Sequence, residues 1–153
     1  MINTPHLLAG ASIGSEIHNP WIVAIAAIIS HFILDSVPHA EYNIDGVKDG
    51  KIDKRFIKDF VKILLDLFFG LTLIVLFAYK SPYFNYIIEG ALFGIFPDFL
   101  LFITYIFPLK LLKTIAEFHY KIHWFLGKKI SGNILVMSQV IFSAVFILLL
   151  IEH

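Results

Sequence analysis

The segment Asn133–Ile151 carries no charged side chain. It comes close to the roughly 20 apolar residues that cross the hydrocarbon core of a bilayer. A chain of 153 residues could bury one such helix in a soluble core, but this run has company. Residues 21–37 are interrupted only by His31 and Asp35. Residues 61–79 have Lys62 at the edge and Asp66 inside, and residues 83–107 carry Glu89, Pro97 and Asp98. Composition points the same way, with 58% hydrophobic and 16% charged residues against about 25% charged in an average soluble domain. Too few charges remain to coat a water-facing surface. The expectation is a single all-α, membrane-embedded domain over 1–153. It has about five membrane-embedded helices and one amphipathic interfacial helix.

Residues 4–17 are the shortest of the five segments. Thr4 reads as the helix cap and Pro5 as the first helical position. Gly10 and Gly14 predict a close approach to the second helix, as in a helical hairpin. No Lys or Arg precedes this run, unlike a signal peptide. Pro97 should kink or break the fourth segment, since it removes a backbone donor. Residues 38–60 are polar, with Gly46 and Gly50 marking turns. In residues 108–132, Lys113, Glu117 and Lys121 recur at fourfold spacing on one face. Leu112, Ile115, His119, Ile122, His123 and Leu126 share the other. That segment should lie along the membrane surface with its histidines turned inward. With five crossings, every one of the 12 Lys and Arg except Lys80 falls on the side of the N-terminus. The positive-inside bias then places a multi-pass protein in the cell (inner) membrane, N-terminus cytoplasmic and C-terminus outside.

Ionisable groups inside apolar spans are costly and mark functional sites by default. On this topology His6, His31, Asp35, His39, Asp66, Asp98, His119 and His123 fall at similar depth near the cytoplasmic face. His31 with Asp35, and His119 with His123, are four apart and share a helix face. Imidazole nitrogen with carboxylate oxygen suits a divalent ion, zinc foremost, with manganese and iron as alternatives. His31, Asp35, His119 and His123 are the expected core ligands, with His6, His39, Asp66 and Asp98 as further ligands or supports. Asp35 and Asp98 are the candidates for a catalytic base. Other readings stay open: His6 and His39 as interfacial residues, Asp66 as an interhelical hydrogen-bonded contact, Asp98 as a cap in a broken helix. Tyr120 stands where a zinc protease helix would carry Glu after its first His.

Cysteine is absent and the formal net charge is +0. Thiolate sites are excluded and no global basic field draws nucleic acid. No phosphate loop, nucleophile elbow or dinucleotide fingerprint is present.

Thr4-Pro5-His6-Leu7, Ser30-His31-Phe32 running to Asp35 and Pro38-His39, Phe96-Pro97-Asp98, and Phe118-His119 with His123 resemble the YdjM-like family of inner-membrane-associated metal-dependent hydrolases. The resemblance implies a helical membrane protein with a His/Asp metal centre, distantly similar to zinc-dependent phospholipase C folds. By position it implies His6, His31, Asp35, His39, Asp98, His119 and His123 as ligands. The chain departs from that pattern at Val37-Pro38-His39 and in the cluster His119-Tyr120-Lys121-Ile122-His123-Trp124. The expected function is metal-dependent hydrolysis of a phosphoester or lipid-linked substrate at the cytoplasmic face of the bilayer. The alternatives are a metal-stabilised structural or assembly protein and a small ion carrier.

Overall fold

A computed structural model of the chain describes residues 2–107, 109–124 and 132–152, without the side chains of Leu111, His123 and Trp124. Among the described residues there are seven helices and no strand. They are α1 (Asn3–Glu16), α2 (Pro20–Ser36), α3 (Asp45–Lys48), α4 (Lys54–Ala78), α5 (Phe84–Ile106), α6 (Lys110–Trp124) and α7 (Gly132–Ile151).

Three of them are long and apolar enough to cross a membrane: α4, α5 and Asn133–Ile151 of α7. This is fewer than the five expected. Helix α1 has 14 residues, about 21 Å at 1.5 Å per residue, and α2 has 17; a spanning helix needs roughly 20. What marks α1 is burial. Every residue in it except Ile13 and Glu16 is buried, and it packs against α2, α4, α5 and α7. It is the hub of the bundle. By contrast α4 and α7 present Phe68, Leu76, Val140 and Leu148 outward.

The close partner of Gly10 and Gly14 is α5, not α2. A Cβ on Gly10 would meet the Gly90 carbonyl, and one on Gly14 would meet the carbonyl of Tyr86. Gly94 presses against the backbone of His6 and Gly10 in the same way. Small residues on both helices let the two backbones touch, which seats the N-terminal half of α1 beside Gly94 and Asp98. Helix α5 runs unbroken through Pro97, so of the expected kink or break the break does not occur.

The start of α1 is held from outside. Ile2 is the residue before the helix and offers no side-chain cap. Thr4, expected to cap, lies inside. The cap comes from Asp66 of α4. Its carboxylate accepts from the Asn3 amide at 2.6 Å, the Thr4 amide at 3.3 Å and the Thr4 hydroxyl at 2.6 Å. The Tyr42 hydroxyl accepts from Asn3 Nδ2 at 3.0 Å and lies 3.4 Å from Asp66 Oδ2. Burial and then the Asp66 charge push the Tyr42 phenol up, so it stays a proton donor. Of the readings of Asp66, the hydrogen-bonded interhelical contact is the one the geometry displays. Asp66→Ala strands two buried amides and should cost about 1–2 kcal/mol of stability, while metal content at saturation stays unchanged. Thermal unfolding and elemental analysis of the same sample check both.

Residues 38–60 are not all loop. Asp53 caps α4 by accepting from the Arg55 and Phe56 amides at 2.8 and 3.0 Å, so the helix begins at Lys54, well before the apolar run. Asp59 accepts from the Gly46 amide at 2.8 Å and from Lys62 Nζ at 2.6 Å, which ties α3 down on α4. Gly50 has φ +66, a left-handed value that favours glycine.

Candidate metal centre

Helix α2 begins with Asn19 accepting from the Trp21 and Ile22 amides and with Pro20 in its first turn. It ends just past Asp35, so His31 and Asp35 occupy its last two turns, both buried. Asp35 Oδ2 lies 3.0 Å from His31 Nε2 and 3.2 Å from His119 Nε2 of α6. Asp98 Oδ1, from α5, lies 3.8 Å from the former nitrogen and 3.5 Å from the latter. One ligand atom from each of these four residues falls within 4.8 Å of the other three. A tetrahedral ion with bonds of about 2.1 Å holds its ligand atoms about 3.4 Å apart. The four His–Asp distances, 3.0–3.8 Å, bracket that value.

The hydrogen bonding around the group reinforces the fit. His31 Nδ1 lies 2.7 Å from the Gly94 carbonyl oxygen. A carbonyl only accepts, so this nitrogen carries the proton. In a neutral ring Nε2 then holds a lone pair aimed at carboxylate oxygens. A lone pair facing carboxylates is repulsive unless a cation, or a second proton on the ring, stands between them. His6 of α1 lies on the far side of Asp35, with Nε2 3.1 Å from Oδ1, and its ring stacks on His31 with centroids 4.0 Å apart. A ligand imidazole bonded to a carbonyl and a ligand carboxylate bonded by a second imidazole are the outer supports that orient metal ligands.

Five of the eight residues singled out from sequence therefore converge: His31, Asp35, Asp98 and His119 as the group of four, and His6 behind Asp35. Two do not. Asp66 serves the start of α1. His39 turns into its own loop, with Nδ1 2.7 Å from the Val37 carbonyl and Nε2 3.4 Å from Glu41 Oε1. That loop is fastened to α7, where Gln139 Nε2 donates to the Ala40 carbonyl at 2.9 Å and Ser138 to the Pro38 carbonyl at 3.0 Å. The side chain of His123 lies outside the described residues, as does Leu126. The other positions described on α6 follow the expected faces. Lys113, Glu117 and Lys121 are exposed and His119 is buried.

Sequence reasoning missed the Gly94 carbonyl. The only trace is indirect. Pro97 cannot serve the carbonyl four residues back, and a glycine beside that gap has no side chain to screen its own oxygen. It also missed a cavity of about 620 Å³ lined by α3, α4, α5 and α6, by Asn3 of α1 and by the loop before α3, on whose wall Asp98 and His119 stand.

Burial separates the two carboxylates. The Asp35 side chain is 0% exposed and touches three imidazoles. The Asp98 side chain is 25% exposed and reaches the cavity. His31, Asp35 and His119 form a tight three-ligand set, and Asp98 is the looser fourth. No protein-family model, curated protein or solved structure matches the chain, so the reading of this centre rests on its geometry.

Proposed function

We propose that the chain is a multi-pass membrane protein that uses a divalent ion, zinc foremost, to hydrolyse a phosphoester at the cytoplasmic face of the inner membrane, as the resemblance to the YdjM-like family implies. The observation that carries this reading is the split between three closely spaced ligands and one looser, cavity-facing carboxylate. Closed structural zinc sites use four protein ligands, whereas catalytic ones use three and keep a position open. His31, Asp35 and His119 supply the three. Asp98 is then free to act as general base beside the open position.

His31, Asp35 and His119 would hold the ion, which when bound would supply Lewis acidity to a water and to a phosphoryl oxygen. Asp98 accepts the proton of the attacking water as its oxygen bonds to phosphorus. The ester P–O bond breaks, and the departing oxygen takes the proton from Asp98. His6 keeps Asp35 oriented, and Gly94 keeps His31 in its Nδ1–H tautomer.

Asp98→Asn should lower turnover by about 100-fold or more and leave bound metal near its original stoichiometry. The measurement uses zinc-loaded protein in nanodiscs with a panel of phospholipids and lipid-linked phosphates, with chelator and re-addition as controls. A stoichiometric ion with no turnover of any substrate would favour a second reading, in which the ion fastens α2, α5 and α6 together. The full burial of Asp35 is the observation behind that alternative.

Topology follows from charge. Lys48 of α3 and Arg55 and Lys62 in the first turns of α4 lie at the end where these helices line a cavity with Asp98 and His119, which the positive-inside bias assigns to the cytoplasm. Helices α4, α5 and α7 then cross, α6 lies along the interface, and α1 and α2 are embedded beside them. Reporter fusions should read the N-terminus as cytoplasmic and the C-terminus as outside. Both ends on one side would refute the arrangement.

A further inference from the structure

The cavity beside the centre is larger than a packing defect. Protein interiors leave few voids bigger than a water molecule, and about 620 Å³ lies within the roughly 300–1,000 Å³ of small-molecule sites. Its wall includes Phe60, Ile63, Leu64 and Leu67 of α4 and Ile95 and Phe99 of α5. Both helices are long and apolar enough to cross a membrane. Leu64 and Phe99 line the cavity and are also 46% and 53% exposed. These two side chains thus belong both to the cavity wall and to the exposed apolar surface of α4 and α5. Asp98 and His119 reach the same space, and so does Lys48.

We propose that this cavity holds an acyl chain of a membrane lipid phosphate, admitted sideways from the bilayer past Leu64 and Phe99, with the phosphate laid between Lys48 and the Asp98–His119 wall. The lipid phosphate as substrate rests on the hydrolase reading above; occupancy by the chain does not. An apolar tail enters an apolar chamber without crossing water, which favours a lipid over a soluble phosphoester of the same headgroup. Lys48 supplies the positive charge that an anionic phosphate matches. The chamber roof is α3, held to α4 by the bond between the Gly46 amide and Asp59.

The test uses full-length protein in nanodiscs containing a phosphatidic acid with a photoactivatable group at the end of one acyl chain. After illumination, labelled peptides are mapped and zinc content is measured on the same sample. Label should concentrate on Ile63, Leu67 and Ile95. Ile63→Trp and Leu101→Trp, which fill the chamber from opposite walls, should each reduce that label about tenfold or more. Leu148→Trp, on the outward face of α7, should not. Label spread over outward residues such as Val140 and Leu148, or Trp variants labelled like the wild type, overturns the proposal. If one Trp variant fails to fold, the wild-type map and the other variant still decide. Stoichiometric zinc without chamber label leaves the metal centre standing and removes the lipid site. Chamber label that persists without turnover, and also in metal-free Asp35→Asn, keeps the lipid site and removes the hydrolase.

Discussion

On the proposed reading, Asp35→Asn should lower zinc affinity more than about 100-fold, beyond the 10–100-fold typical of losing an outer support. The expectation follows from position. Asp35 Oδ2 lies 3.0 and 3.2 Å from two imidazole nitrogens, and its charge would offset that of a bound ion at a side chain that is itself fully buried. An amide keeps the shape and loses the charge. His6→Phe provides the graded comparison. It preserves the stacked ring on His31 and removes the nitrogen 3.1 Å from Asp35 Oδ1. Its affinity should fall by about 10–100-fold. Competition with a chromogenic chelator measures both variants on one scale. An Asp35→Asn protein that binds zinc like the wild type would remove the metal centre altogether.

The second large effect concerns the hub. Gly10→Ala places a Cβ within 2.6 Å of the Gly90 carbonyl carbon, and neither backbone can yield without separating α1 from α5. Overpacking usually costs about 1–3 kcal/mol; a clash of backbone on backbone belongs at or above the top of that range. Gly70→Ala is the milder contrast, because its nearest neighbour is the tip of the Leu7 side chain, which can rotate. Melting of purified protein in detergent should rank wild type, Gly70→Ala and Gly10→Ala in that order. Gly10→Ala should also weaken zinc binding, because the same contact seats His6 and Gly94 beside Asp35 and His31. A Gly10→Ala protein that melts with the wild type would show that the two helices have room to part.

Much of this was legible in one dimension. Hydropathy marked α4, α5 and α7 because a long uncharged run is a local property, independent of neighbours. The cap that Asn19 supplies to α2 is equally local, since its side chain accepts from amides two and three residues on, but it was not read from the sequence. The i,i+4 pairing of His31 with Asp35 was readable because helix geometry alone sets it. The convergence of His6, Asp98 and His119 with that pair was anticipated from depth along the spans, a coordinate that charge bias and helix rise supply.

Lateral position had no such ruler. Depth placed Asp66 and His39 beside the others, yet Asp66 points to the start of α1 and His39 into its own loop. Which side of a helix faces which neighbour depends on where backbones can touch, and that was decided by Gly10, Gly14, Gly90 and Gly94 meeting across α1 and α5. A glycine in a sequence announces that a close approach is possible without naming the partner, so α2 was the expected neighbour and α5 the actual one. The ranking of the carboxylates belongs to the tertiary structure for the same reason. Asp35 is sealed by imidazoles from three helices, while Asp98 faces a cavity lined by five helices and a loop, and burial of that kind exists only once the helices have docked.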